Sequence, residues 1–138
     1  MAARDKIHDA VKQALIKEGW TITHDPFIMT YRDDTIFADL GAQKTFTAER
    51  RNEKIVVEIK SFLGRSAIQD FKVALGQYML YHLALQKLAL EYKLYLAVGE
   101  QAYTSDFQKD LIQLALHEYH LPLIVVNLEK VEVVQWIN

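Results

Sequence analysis

Nine residues near the middle of the chain, KIVVEIKSF from Lys54 to Phe62, constrain the fold more than any others. Five of the nine are apolar, which marks a strand meant for burial, yet Glu58 and Lys60 interrupt the run two positions apart. Side chains along a strand alternate between faces, so Ile55, Val57 and Ile59 point one way and Val56, Glu58 and Lys60 the other. The first face is pure core. The second ends in an acid and a base ~7 Å apart along the strand. Charges set into an apolar layer are costly unless something compensates them. The pattern therefore predicts a partner: each other, a metal ion or a bound molecule.

The rest of the chain reads as elements that could enclose such a strand. Its 138 residues fit one domain spanning 1–138, long enough to bury a core. Ala3 to Glu18 is an amphipathic helix with Ala3, Ile7, Ala10, Val11, Ala14 and Leu15 on one stripe, and Gly19 ends it. WTIT and FIMTY are short strands around His24-Asp25-Pro26. TIFADL, KTFTAE and KIVVEIKSF form an antiparallel meander whose last connection is the polar turn Arg50 to Glu53. A long helix spans Ser66 to Leu90. It is apolar almost all round and so is expected to be covered on more than one side. YKLYLAV is a central strand, SDFQKDLIQLALHEY a helix capped by Ser105 or Asp106, and PLIVVN and KVEVVQWI are closing strands. This order predicts an α/β (α+β) fold with a mixed central sheet and flanking helices.

Within that frame, Asp39 ends TIFADL on the face of Thr35 and Phe37. If the meander sets it beside Glu58, two carboxylates converge with the Lys60 ammonium next to them. Mg²⁺ or Mn²⁺ takes oxygen ligands of this kind together with substrate phosphate and water, and Lys60 is placed to orient water or neutralise phosphate. That is phosphodiester nuclease chemistry. The same three residues also fit a strand with one solvated face and a cross-strand ion pair. Gln77 and Tyr81, four apart on the following helix with Ala74 and Ala84 beside them, resemble a nuclease accessory motif. Glu18, an acid on the apolar stripe of the first helix, is a further candidate metal or water ligand.

The stretches ADLGAQKTFTAERRNEKIVVEIKSFLG and ALGQYMLYHLAL resemble the XisH family, the fdxN element excision controlling factors of cyanobacteria. The opening ARDKIHDAVKQALIKEGWTITHDP and the closing LPLIVVNLEKVEVVQWI are similar too, so the resemblance covers nearly the whole chain. It implies a restriction-endonuclease-like, PD-(D/E)xK fold. It also implies a role in programmed DNA rearrangement beside a site-specific recombinase and a small XisI-like partner. On this sequence the motif falls on Asp39, Glu58 and Lys60, and its accessory on Gln77 and Tyr81. The chain departs from the family pattern at Gln43, where GAEK is expected, and at Ala38, where a proline would precede the acid.

Composition narrows the alternatives. There is no cysteine, which excludes disulfides and thiolate metal sites and fits a cytoplasmic protein. The N-terminus lacks the apolar run of a signal peptide, and no segment is long and apolar enough for a membrane. A net charge of −2 argues against bulk coating of nucleic acid but leaves room for a local patch. Lys44, Arg50, Arg51, Lys54, Lys60, Arg65 and Lys72 are expected to gather around the site and meet DNA phosphates. His117 and His120 lack the matched ligands of a zinc site, and Asp5 and His8, one turn apart on the first helix, could contribute to a cleft but fit a solvated helix edge better. Two functions compete: a metal-dependent DNA endonuclease, and a non-catalytic adaptor that binds DNA, a partner protein or a second copy of itself as a homodimer.

Overall fold

The computed structural model describes residues 3–46, 51–88 and 90–138. Along them run helix α1 (Ala3–Lys17) and strands β1 (Thr21–His24), β2 (Phe27–Tyr31), β3 (Asp34–Ala38), β4 (Leu40–Phe46) and β5 (Arg51–Lys60). Helix α2 (Ala67–Lys87), strand β6 (Lys93–Gly99), helices α3 (Glu100–Thr104) and α4 (Asp110–Tyr119), and strands β7 (Leu123–Asn127) and β8 (Glu132–Ile137) follow. Six strands form one sheet in the order β1-β4-β5-β6-β7-β8, while β2 and β3 pair as a separate hairpin. β5, β6 and β7 run parallel, and the outer pairs are antiparallel. The sheet is therefore mixed, with β5 and the largely apolar β6 at its centre, as the sequence predicts.

Helices cover both faces. On one, Ile7, Val11, Ala14 and Leu15 of α1 pack on Leu40, Ala42, Ile55, Val57, Ala97 and Ile124. On the other, Phe71, Ala74, Tyr78 and Tyr81 of α2, with Phe107 and Ile112, pack on Val56, Leu96, Val98 and Val125. The hairpin joins this second layer through Phe27, Met29 and Ala38. β5 thus splits its side chains as its alternation requires: Ile55 and Val57 face α1, and Val56 faces α2. Among the described residues no helix is long and apolar enough to cross a membrane.

Several elements differ from the sequence reading. TIFADL is not one strand of a meander. The chain leaves the hairpin after Ala38, bends at Asp39 and enters the main sheet at Leu40. The polar stretch Arg51 to Glu53 is not a turn but the start of β5, paired with β4 in a register that sets Glu53 opposite Lys44. Arg50 lies outside the described residues. The helix expected from Ser105 starts only at Asp110, because Phe107 turns fully into the core within a short 3₁₀ turn and Lys109 is extended. Helix α2 is capped by Ser66, whose hydroxyl accepts from the Gln69 amide. It is covered on one side only. Val73 and Leu80 stay 58% and 57% exposed, and Leu83 is exposed beside them.

Candidate active site

The place where β5 outlasts its neighbour makes the site. β4 begins at Leu40, opposite Val57, so the last three residues of β5 have no partner strand on that side. Asp39, held at the bend, fills the gap: its Oδ2 accepts the Ile59 amide at 2.7 Å. A backbone donor that the sheet leaves open is satisfied by the candidate acid itself. On the other side Glu58 and Lys60 lie opposite Leu96 and Val98 of β6. Beyond Lys60 the chain turns through Phe62, whose left-handed φ of 53° ends the strand and sets its ring on Phe107 at 4.8 Å.

Glu58 is only 6% exposed. Lys60 Nζ donates toward its Oε2 at 3.2 Å, but its Oε1 is buried without a hydrogen-bond partner. Burial pushes the Glu58 carboxyl up from 4.5 to about 7, and the neighbouring Asp39 carboxylate adds to the rise. The Lys60 ammonium pulls the other way and loses, so desolvation and like charge decide the balance. Tyr81 is also raised, first by its burial and then by the charges of Glu58 and Asp39, which places its hydroxyl within their field. Gln77, one turn earlier, has a buried Oε1 without a partner. Asp39, Lys60 and Gln77 share one cleft of about 380 Å³ with Ile7, His8, Ile59 and Ser61. Strand and helix thus bring Asp39, Glu58, Lys60, Gln77 and Tyr81 together.

Glu18 is elsewhere. It stands ten residues beyond His8, in the turn just past α1, ~15 Å away along the helix axis. Its Oε1 accepts the Trp136 indole N–H at 3.0 Å, beside the Trp20–Trp136 ring pair. The helix instead offers the cleft His8, which the sequence reading left on a solvated edge. His8 Nε2 lies 2.9 Å from Asp25 Oδ1, and its Nδ1 lies 3.8 Å from Asp39 Oδ1. Lys12, one turn on, donates to the other Asp25 oxygen at 2.8 Å. The only trace of this in the sequence is the i, i+4 spacing of His8 and Lys12 along the edge of the apolar stripe. The side chain of Asp5 lies outside the described set.

Two of the basic residues expected around the site, Lys54 and Lys44, lie away from the cleft, whereas Lys60 lines it. Lys54 sits over the Tyr92 ring at 5.7 Å, six residues and ~20 Å along β5 from Lys60. Lys44 donates to the Glu18 carbonyl at 2.6 Å. Among the described residues no three His, Cys, Asp or Glu side chains converge as a closed metal cage would require. A magnesium-type site needs no such cage, since one or two carboxylates with phosphate and water suffice. Asp39 and Glu58 offer such ligands: one buried Glu58 oxygen has no hydrogen-bond partner, and the Asp39 carboxylate lies near enough to raise the Glu58 pKa.

The family model described as XisH protein matches residues 1–134. The chain belongs to the XisH family. Among solved structures it is similar to an fdxN element excision controlling factor protein from Anabaena variabilis. That pair shares 39% identity and a TM-score of 0.87, covering 98% of this chain and 100% of that one. It is similar, too, to an XisH family protein from Nostoc punctiforme, at 38% identity and a TM-score of 0.87, covering 97% of this chain and 100% of that one. A search of curated proteins gives no match. At these identities and TM-scores the fold is shared along nearly the whole chain.

Proposed function

We propose that this XisH-family chain is an element excision controlling factor, accessory to recombinase-driven DNA rearrangement, and that it acts as a metal-dependent DNA endonuclease of the PD-(D/E)xK type. The convergence of Asp39, Glu58 and Lys60 at the open end of β5, with one acid buried and incompletely satisfied, carries this reading. The mixed sheet with its acid-x-lysine strand at the centre supports it, as does the excision factor from Anabaena variabilis. Asp39 and Glu58 would hold Mg²⁺ or Mn²⁺, and the ion, when bound, would supply Lewis-acid stabilisation of phosphate charge. The protein's own groups do the rest. Lys60 presents its ammonium to a phosphate oxygen or a water. Gln77 offers an unpaired amide oxygen to a water or sugar hydroxyl, and Tyr81 keeps its proton and can donate. The wall formed by Val56, Leu96 and Val98 keeps solvent from the buried side.

The test is nicking of supercoiled plasmid with Mg²⁺ or Mn²⁺, run beside Glu58→Gln and Lys60→Ala. Metal-dependent nicking that both substitutions remove supports the reading. Nicking that survives both marks a contaminant, and no nicking with any ion refutes the catalytic role. One observation favours a second reading, an adaptor for an XisI-like partner or a second copy: the apolar stripe Val73, Leu80 and Leu83 on α2 is left uncovered. A variant with Leu80→Ser and Leu83→Ser that loses partner binding while nicking persists would separate the two roles.

A further inference from the structure

The metal reading above rests on two carboxylates, and the cleft contains a third donor that it leaves unused. A carboxylate only accepts hydrogen bonds, so the 2.9 Å contact with Asp25 fixes the proton of His8 on Nε2. Lys12 holds the other Asp25 oxygen and keeps that acceptor in place. In the neutral ring Nδ1 is then the bare nitrogen, and it faces Asp39 Oδ1 across 3.8 Å. This is too long for a hydrogen bond. It is close to the gap between two atoms sharing one ion, roughly 3 to 3.5 Å for bonds of about 2.1 Å. Metal-binding histidines characteristically donate their second ring nitrogen to a carboxylate, which sets the tautomer and makes the ligating nitrogen more basic. Asp25 stands in that position. Independently, Glu58, 94% buried by its 6% exposure, keeps one oxygen without a partner beside the same acid.

We propose that His8 is a metal ligand, binding through Nδ1 alongside Asp39 with Asp25 as its orienting carboxylate, and that the site takes a first-row transition ion such as Co²⁺, Fe²⁺ or Zn²⁺ in preference to Mg²⁺. The preference follows from chemistry: imidazole suits borderline transition ions, whereas magnesium prefers all-oxygen sets and gains little from a nitrogen. Asp25 and Lys12 lie outside the coordination shell and act on it only through the ring they hold. The proposal depends on Asp39 binding a metal at all, and its test separates the two claims.

The experiment is calorimetric titration of the full chain with Co²⁺ and with Mg²⁺, for wild type, His8→Gln, His8→Ala and Asp39→Asn, each first shown by melting to be folded. Wild type should bind Co²⁺ at least about tenfold tighter than Mg²⁺, and both His8 variants should lose about tenfold or more for Co²⁺ while Mg²⁺ changes by no more than about threefold. Proton NMR of the Co²⁺ form supplies a second readout. Coordination through Nδ1 leaves the Nε2 proton on Asp25, where it appears as an exchangeable, strongly shifted resonance that His8→Gln removes. An unchanged Co²⁺ to Mg²⁺ ratio in the His8 variants, with binding still lost in Asp39→Asn, would overturn the role of His8 and leave the carboxylate site standing. Failure of wild type to bind either ion would overturn both.

Discussion

Two acids on opposite sides of the same sheet behave differently. Glu18 closes α1 under the two tryptophans and has its hydrogen bond from Trp136. Glu58 lies deeper, shares its surroundings with a second carboxylate, and keeps an oxygen that nothing satisfies. Both look alike in sequence: a lone glutamate on an apolar stripe. The difference is whether the protein supplies a donor. A supplied donor makes the acid a structural joint. A withheld one leaves a group that folding alone does not justify, since a buried polar atom without a partner costs about 1–3 kcal/mol.

Substitutions at the two acids put this contrast to the test. The largest effect is expected at Asp39→Asn, which should remove cation-dependent stabilisation in melting experiments and lower any nicking rate by at least about a hundredfold. Retention of both would mean that the Glu58 side of the comparison has no functional content. Next comes pH. The folded protein holds the Glu58 proton more tightly than the unfolded chain, so between 4.5 and about 7 the native state binds more protons and stability falls as pH rises. That shift corresponds to about 3 kcal/mol, lost through this window and constant above it. Glu58→Gln should flatten the slope and melt several degrees higher than wild type at pH 8, as measured by denaturation at pH 5, 6, 7 and 8. An unchanged slope would show that Glu58 is ordinary. Glu18→Ala should cost about 1–2 kcal/mol by orphaning the Trp136 N–H, with cation binding untouched. Smallest of all, Glu18→Gln keeps the accepting oxygen and should stay within about 0.5 kcal/mol of wild type.

Much of the site was legible because strand periodicity is rigid. Once KIVVEIKSF is a central strand, Glu58 and Lys60 must share a face with Val56, and that face proves to be the α2 side. Gln77 and Tyr81 share a helix face by their spacing, and their resemblance to a nuclease accessory motif singles them out. The errors have physical causes as well. Glu18 lies on the stripe of α1 by its angle, but angular position says nothing about distance along the axis, and ten residues carry it out of the cleft. His8 reads as a solvated edge in the sequence because its surroundings come from Asp25 and Asp39, partners 17 and 31 positions away. The basic residues were grouped by nearness in sequence, whereas an extended strand sends Lys54 and Lys60 to opposite ends of the sheet. The late start of α4 traces to Phe107, whose burial overrides a local helix signal. The uncovered side of α2 was hidden for a related reason: an all-round apolar helix says that several sides want covering, not that this chain provides the cover.

Asp39 is a one-residue joint between the β2–β3 hairpin and the main sheet. The carboxylate that caps β5 is thus held from both sides of the bend, and the exposed Ile28 and Phe37 stand on the same arm that leads into it.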